Sequence, residues 1–137
     1  MTAVNPYLVF NGNAEEAFVF YRSVLGGELQ IARFGDMGGT DDFPAEFRDK
    51  IANVTLPLGD SLLMGSDVPP GQTVNTANPG YSVSLDVDSA AEAERVFTAL
   101  SAGGDVAMPL GKTEWAESFG MVTDKFSVPW MVNYAPR

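Results

Sequence analysis

Asp86 is the side chain best placed to do chemistry in this sequence. It stands near the end of residues 81–87, a segment in which Ser82, Ser84 and Asp86 alternate with apolar residues. Such alternation predicts a strand that turns its polar residues toward one face of a sheet. In an enclosed site the Asp86 carboxylate could bind a cation or act as a general base. Its position just before a predicted helix offers another role, because an acid there stabilises the helix dipole.

Two residue types that enzymes use often are missing. The chain of 137 residues contains no histidine and no cysteine. Ser-His-Asp and Cys-His catalysis, histidine-based metal sites, thiolate zinc sites and disulfides are therefore excluded. The glycine pairs in LGGE and AGGD are not followed by the Lys-Ser/Thr of a phosphate loop, so they predict helix ends instead.

The overall charge limits the kinds of partner. The formal net charge is -10 at pH 7. This charge argues against binding to nucleic acid or to anionic membrane surfaces, and it favours a cationic or neutral small molecule. No apolar run is long enough to cross a bilayer. The first residues, MTAVNPYLVFNG, show neither the basic region nor the cleavage pattern of a signal peptide, so a cytoplasmic location is predicted.

A repeat predicts the positions of two helices. Residues 13–28, NAEEAFVFYRSVLGGE, and residues 89–105, SAAEAERVFTALSAGGD, share a capping residue, an Ala/Glu-rich segment, a Gly-Gly pair and a following acid. Apolar residues recur with the helical period in both copies, and Asn13 and Ser89 are the predicted N-caps. The chain therefore contains two copies of one structural module.

One predicted strand precedes each helix and three follow it. The strand segments are residues 6–10, 28–35, 51–58 and 61–67 in the first copy, and 81–87, 105–110, 118–124 and 128–134 in the second. The predicted fold is α+β, one domain of two tandem βαβββ modules, about 1–68 and 79–137, with a Pro/Gly/Asn-rich linker at 67–80. The connection at 36–47 is either a mobile flap or an acidic surface loop.

Alternation within other strands predicts the composition of the polar face. Asn53 and Thr55 lie opposite an apolar set in one strand, and Met131 and Asn133 lie opposite Trp130 in the last. Trp130 is therefore predicted in the core. Polar groups among methionine and aromatic side chains are typical of a small-molecule pocket. A solvated sheet face, or a dimer interface packed by Met131, would show the same pattern.

Three segments carry a resemblance to a known family. YLVFNGNAEEAFVFYRSVLGGE, LLMGSD and FGMVTDKFSVPWMVNY resemble the PhnB-like branch of the vicinal oxygen chelate superfamily. That superfamily includes glyoxalase I, extradiol dioxygenases, and fosfomycin- and bleomycin-resistance proteins. The resemblance covers nearly the whole chain. It implies curved mixed sheets that pair, often across a homodimer, to enclose a ligand cavity on the face away from the helices.

The resemblance does not bring the metal ligands of the superfamily with it. Metal enzymes of the superfamily hold a divalent ion with four His/Glu-type ligands from the first and last strands of each module. The matching positions in this chain are Pro6, Ser82, Leu63 or Met64, and Met131. None of these is a good ligand for such an ion. Many relatives carry a histidine where this chain has Asn53. We therefore predict no cofactor and no divalent metal, with a carboxylate-only site from Asp86, Asp67 and a neighbour as the alternative.

The predicted ligand pocket combines strand positions with aromatic residues at its rim. Its residues are Phe10, Asn53, Thr55, Ser82, Ser84, Asp86, Trp115, Phe119, Met131 and Asn133. Trp115 lies in a predicted hairpin, where it would serve as a lid over the cavity or as a dimer contact.

Two classes of function follow from these observations. The first is metal-independent binding or sequestration of a cationic or aromatic small molecule by a homodimer, as in the bleomycin-resistance members that the chain resembles. The second is an enzyme: a divergent metal-dependent lyase, isomerase or dioxygenase, or an acid–base enzyme that uses Asp86. A dimeric scaffold whose cavity is filled by its own side chains is a third alternative.

Overall fold

The computed structural model describes residues 2–37, 39 and 43–136. The chain divides into two compact units, Met1–Asn75 and Thr76–Arg137. Each unit carries one twelve-residue helix and one four-stranded sheet. No helix in the described part of the chain has the length and hydrophobicity needed to cross a membrane.

The elements follow the order predicted from the repeat. The first unit contains β1 (Tyr7–Phe10), α1 (Ala14–Leu25), β2 (Gln30–Arg33), a 3-10 turn (Phe34–Asp36), the short helix α2 (Ala45–Arg48), β3 (Ile51–Leu58) and β4 (Ser61–Asp67). The second contains β5 (Val83–Asp86), α3 (Ala90–Ser101), β6 (Asp105–Gly111), β7 (Ser118–Thr123) and β8 (Pro129–Tyr134).

Both sheets have the same topology. The strand order is β1-β4-β3-β2 in the first unit and β5-β8-β7-β6 in the second. In each, the strand that precedes the helix lies parallel to the last strand of the unit, and the other neighbours are antiparallel. The predicted α+β fold with two mixed sheets is thereby confirmed.

One glycine in each sheet lets the helix approach closely. A Cβ added to Gly65 in β4 would lie 2.8 Å from the Phe18 ring of α1, and one added to Gly120 in β7 would lie 2.6 Å from the Phe97 ring of α3. Real Cβ atoms do not come that close to other heavy atoms. The buried aromatic residues of the helices therefore pack directly on the sheet backbone.

The N-terminus of α1 is capped differently from the prediction. Asn13 makes no side-chain cap hydrogen bond. Asp67, at the end of β4, takes this role because Oδ1 of its carboxylate accepts hydrogen bonds from the N–H groups of Gly12 and Ala14 at 3.0 and 2.9 Å. Its Oδ2 accepts one from the N–H of Ile51 at 2.9 Å. A carboxylate distant in sequence therefore replaces the local cap.

The other predicted cap is confirmed. The Ser89 side chain accepts a hydrogen bond from the N–H of Glu92 at 3.1 Å and so caps α3. The core prediction for Trp130 is also confirmed, since this residue is only 1% exposed. Its indole Nε1 donates to the Asp124 carboxylate at 2.8 Å, which satisfies the polar atom of a buried ring.

Some predicted bounds were wrong. The second strand covers Gln30–Arg33 rather than 28–35, because Gly27 still turns with a φ of 90° and the 3-10 turn begins at Phe34. The strand predicted at 81–87 covers Val83–Asp86, since its pairing with β8 begins only at Val83. The predicted flap or loop at 36–47 includes residues 38 and 40–42, which lie outside the described residues.

Candidate functional site

Asp86 and Asn133 meet at the carboxyl ends of two parallel strands. Asp86 ends β5, and the register of the parallel pair places it beside Asn133 of β8. The Asn133 amide nitrogen donates a hydrogen bond to Asp86 Oδ1 at 3.1 Å. Asp86 is exposed and Asn133 is half-buried. The amide therefore fixes the orientation of a carboxylate that a ligand can still reach.

The carbonyl oxygen of Asn133 is left without a donor. Its Oδ1 is buried and has no hydrogen-bond partner among the described residues. The Asp86 carboxylate requires a donor, so the amide nitrogen must face it and the carbonyl must point elsewhere. A buried acceptor without a partner is unfavourable by about 1–3 kcal/mol. Because this oxygen is closed to solvent, a ligand could donate to it only after the Asn133 side chain had turned.

A cleft opens at this end of the second sheet. It has a volume of about 680 Å³ and is lined by Asp86, Val87, Asp88, Asn133, Tyr134, Ala135 and Pro136. Two of these residues carry negative charge and none carries positive charge. The cleft therefore presents two carboxylates and no positive charge, an arrangement that favours a cationic hydrogen-bond donor.

Phe119 lies on the same sheet face as Asn133, and Trp115 packs against it. Phe119 of β7 is the register partner of Asn133, so their side chains point to one face. The ring of Trp115 packs edge-on against Phe119, with ring centroids 5.4 Å apart. Phe119 is 5% exposed and Trp115 is 63% exposed. The Trp115 indole is therefore largely exposed to solvent, and one of its edges packs on the buried Phe119 ring.

Ser84 and Met131 are register partners on this same face of the second sheet. Ser84 is exposed and Met131 is half-buried. Ser82 is exposed too, but it precedes β5 and has no strand partner in the register.

The first unit brings together a separate set of the predicted residues. The Tyr7 hydroxyl donates to the Asn53 side-chain oxygen at 3.4 Å, and the Asn53 amide nitrogen donates to the Thr55 hydroxyl at 3.4 Å. Thr55 is 8% exposed, whereas Tyr7 is 47% exposed. The side chains of Asn53 and Thr55 are therefore hydrogen-bonded to each other, and Asn53 is also hydrogen-bonded to Tyr7. Sequence patterning did not identify Tyr7 as part of this group.

Phe10 does not belong to this polar face. It is 2% exposed, and its ring packs edge-on against Phe18 of α1, with centroids 6.1 Å apart. In β1 the buried residues are Leu8 and Phe10, while Tyr7 and Val9 are exposed. The prediction of Phe10 at the pocket rim is therefore wrong, because the strand turns this residue toward the helix.

The positions that would hold a metal in the superfamily do not offer a ligand set. Met64 lies on the Tyr7 face of the first sheet, Leu63 is buried on the other face, and Met131 lies beside Ser84. Thioethers are poor ligands for hard divalent ions. Asp67 is 3% exposed and already accepts three backbone hydrogen bonds, so it is a structural carboxylate. No group of three metal-binding acids occurs among the residues that the structure describes.

Two ion pairs that lie outside this site change the pKa of their carboxyl groups. The Arg33 guanidinium donates two hydrogen bonds to Glu15 at 2.9 Å and thereby lowers the pKa of that carboxyl. Arg95 likewise lowers the pKa of Glu92 on α3 by a hydrogen bond. The first pair joins α1 to β2, and the second lies within α3.

Several residues near the site were missed at the sequence level. Asp88 and Tyr134 line the cleft, and Met121 and Met108 continue the row that contains Met131. Alternation within β7 was the available signal for Met121, whereas two register shifts interrupt β6 and conceal it for Met108.

Comparison with known proteins places the chain among characterised folds. Residues 2–133 match the family described as 3-demethylubiquinone-9 3-methyltransferase. The chain is 37% identical over 139 residues to Protein YjdN of Escherichia coli K12, and the alignment covers 95% of this chain and 93% of that protein. It is 49% identical to protein PA1353 from Pseudomonas aeruginosa, whose crystal structure superposes with a TM-score of 0.88 over 98% of both chains.

More distant structures show the wider fold group. The PhnB protein from Bacillus cereus is 26% identical, with a TM-score of 0.73 over 98% of this chain and 100% of that one. A glyoxylase/bleomycin resistance protein/dioxygenase domain from Frankia sp. is 14% identical, with a TM-score of 0.68 over 99% of both chains, and shows the fold alone. The chain therefore belongs to the PhnB-like family described as 3-demethylubiquinone-9 3-methyltransferase, which has the glyoxalase/bleomycin resistance/dioxygenase fold.

Proposed function

We propose that this protein binds a small organic cation in the cleft at the carboxyl ends of β5 and β8, without a resident metal ion. The observation that carries the proposal is the exposed Asp86 carboxylate, which the Asn133 amide holds in place in an acidic cleft. An ammonium or guanidinium group in the cleft would donate a charge-assisted hydrogen bond to the exposed Asp86 carboxylate. The acidic lining of the cleft and the net charge of -10 favour the same class of ligand.

The family description does not by itself assign a reaction to this site. It names a methyltransferase, but members of one fold family host different activities on different residues. The proposal rests on the residues of the cleft. Binding without turnover would make the protein a carrier or a sequestering protein for its ligand.

The test is titration calorimetry with methylammonium, guanidinium and larger organic cations at low ionic strength, with neutral molecules of matched size as controls. We expect binding of cations and no binding of the neutral molecules. Replacing Asp86 by Asn should weaken the binding about tenfold or more, because a hydrogen bond to a charged group is lost. Higher salt should weaken it as well.

Asp105→Asn is the matched control for this substitution. Asp105 is an exposed residue whose β6 position pairs with Thr123, at the end of the sheet opposite to Asn133, and its change alters the net charge equally. We expect Asp105→Asn to leave the affinity within about twofold of the parent, because screening weakens distant surface charges. Equal losses in both variants would show a diffuse charge effect and would contradict a site at Asp86.

Acid–base catalysis by Asp86 is the second candidate function. Its support is the exposed carboxylate held in place by the Asn133 amide inside a cleft. If a reaction of a bound cation is found, Asp86→Asn should reduce kcat far more than it raises KM. Unchanged turnover at saturating substrate would remove this candidate and leave binding.

A further inference from the structure

A row of methionines crosses the second sheet beside the cleft residues. Met131 of β8 is the register partner of Met121 of β7, and Met121 is in turn the partner of Met108 of β6. Met121 and Met131 therefore point to the same face, with Cβ atoms about 5 Å apart, whereas Met108 lies between two register shifts of the edge strand β6. We call these three residues the methionine row. Ser84 of β5 ends the row on its other side.

Met121 and Met131 of the methionine row lie on the face that carries Asp86 and Asn133. Met131 precedes Asn133 by two residues in β8, which places it on the same side at about 7 Å along the strand. The face opposite is the one that contacts α3, as Gly120 shows by its closeness to Phe97. The methionine row and the acidic cleft are therefore neighbouring parts of one surface in the second unit.

The row is partly accessible. Met108 is 43% exposed, and Met121 and Met131 are half-buried. Thioether side chains are apolar, unbranched and polarizable, so they adapt to apolar groups of different shape. A surface of this kind suits the hydrocarbon part of a ligand and does not require one fixed outline.

We propose that the ligand is an amphiphilic amine, whose ammonium group binds the Asp86 carboxylate and whose alkyl or aryl body lies on the methionine row. This inference rests on the proposed function, because it takes the cation site as given. It adds the substrate class: molecules with a hydrocarbon body that extends several carbon atoms from the charge. It also implies tolerance, so linear and aromatic bodies of similar area bind with similar affinity.

A homologous series of n-alkylammonium ions, from ethylammonium to octylammonium, tests the inference by calorimetry. We expect the affinity to rise by up to about fourfold for each methylene that reaches the methionine row, the value for full burial of one methylene. Phenylalkyl amines of similar area should fall on the same line. Neutral alcohols of equal chain length should bind far more weakly than the amines.

Variants of the row separate the two proposals. Met121→Ser should flatten the dependence on chain length and leave the affinity for ethylammonium within about twofold, since short ions do not reach the row. Met108→Ser is a second variant at a more exposed position, where folding is least affected. Met37→Ser, at a half-exposed methionine outside both sheets, is the control and should leave the dependence unchanged.

The outcomes are distinct. Binding of short ammonium ions without any gain from chain length would overturn the inference and leave the proposed function standing. Binding of no ammonium ion at any length would overturn both. Equal binding of alcohols and amines would contradict the cation site itself.

Discussion

Asp67 in the first unit and Asp124 in the second are buried carboxylates that accept several hydrogen bonds from nearby N–H groups. Each is 3% exposed. Asp67 accepts three backbone N–H groups, and Asp124 accepts the N–H groups of Phe126 and Val128 together with the indole N–H of Trp130. These two carboxylates stabilise the cap of α1 and the turn before β8. Their oxygens already accept hydrogen bonds from the protein and are therefore not free to bind a ligand.

Removing the Asp67 carboxylate should destabilise the fold strongly. Asp67→Ala leaves three backbone donors without their acceptor, and we expect a loss of about 3–5 kcal/mol in the free energy of unfolding. Urea denaturation followed by circular dichroism measures it. Asp60→Ala, in the exposed turn between β3 and β4, is the control and should change stability by less than about 0.5 kcal/mol. A small effect of Asp67→Ala would contradict its role as the cap of α1.

Sequence patterning could predict some residues of the site and not others. Alternation placed Ser84, Asp86 and Asn133 on one face, and the register agrees. It could not predict that the Asn133 carbonyl is left without a donor, because that depends on which side-chain atom faces Asp86. It also assigned Asn13 as a cap, because a local rule cannot detect a competing carboxylate such as Asp67 that is brought in by the sheet.

At the scale of elements, the helix of each unit packs on the sheet, and a glycine in a central strand allows the close contact. Gly65 and Gly120 occupy central strands and face the aromatic residues Phe18 and Phe97. The amphipathic helices and the number of strands could be predicted, because both follow from hydrophobic periodicity. The close approach at the glycines could not be predicted, since a glycine within a strand pattern has several possible meanings.

Gly65→Ala should destabilise the first unit by overpacking. The added methyl group would lie 2.6 Å from the Leu8 carbonyl oxygen and 2.8 Å from the Phe18 ring, and we expect a loss of about 2 kcal/mol. Thermal and urea denaturation measure the change. Gly80→Ala is the matched control because a Cβ there meets nothing within 4 Å. Similar effects of the two substitutions would argue against tight helix packing at Gly65.

At the scale of the whole molecule, the family and the mixed α+β architecture could be predicted from segments spread along the chain. The matching family covers residues 2–133, and PA1353 of Pseudomonas aeruginosa is similar over 98% of its length. The ligand could not be predicted from the family, because proteins that share this fold can carry different residues in their binding sites. Homodimer formation and metal independence stay predictions.

The metal prediction can be tested on the intact protein. We expect no stoichiometric divalent metal in protein purified without chelator, and no change in Tm with chelator or with Mg, Mn, Ni or Zn salts. The reason is the donor set, in which proline, serine and methionine replace His/Glu-type ligands. Elemental analysis and melting curves provide the measurement. A Tm raised by one ion and lowered by chelator would instead indicate a carboxylate site that includes Asp86.

The parallel pairing of the first and last strands in each unit has a consequence for synthesis on the ribosome. Within the described part of the chain, β1 has β4 as its only sheet neighbour, and β5 likewise has only β8. While the chain emerges, Leu8 and Phe10 have no finished sheet to join until the segment through Asp67 has been translated. Long-range pairing of this kind slows folding and keeps apolar residues accessible meanwhile. We therefore expect chaperones to bind the first unit while it is being synthesised, before β4 is available to pair with β1.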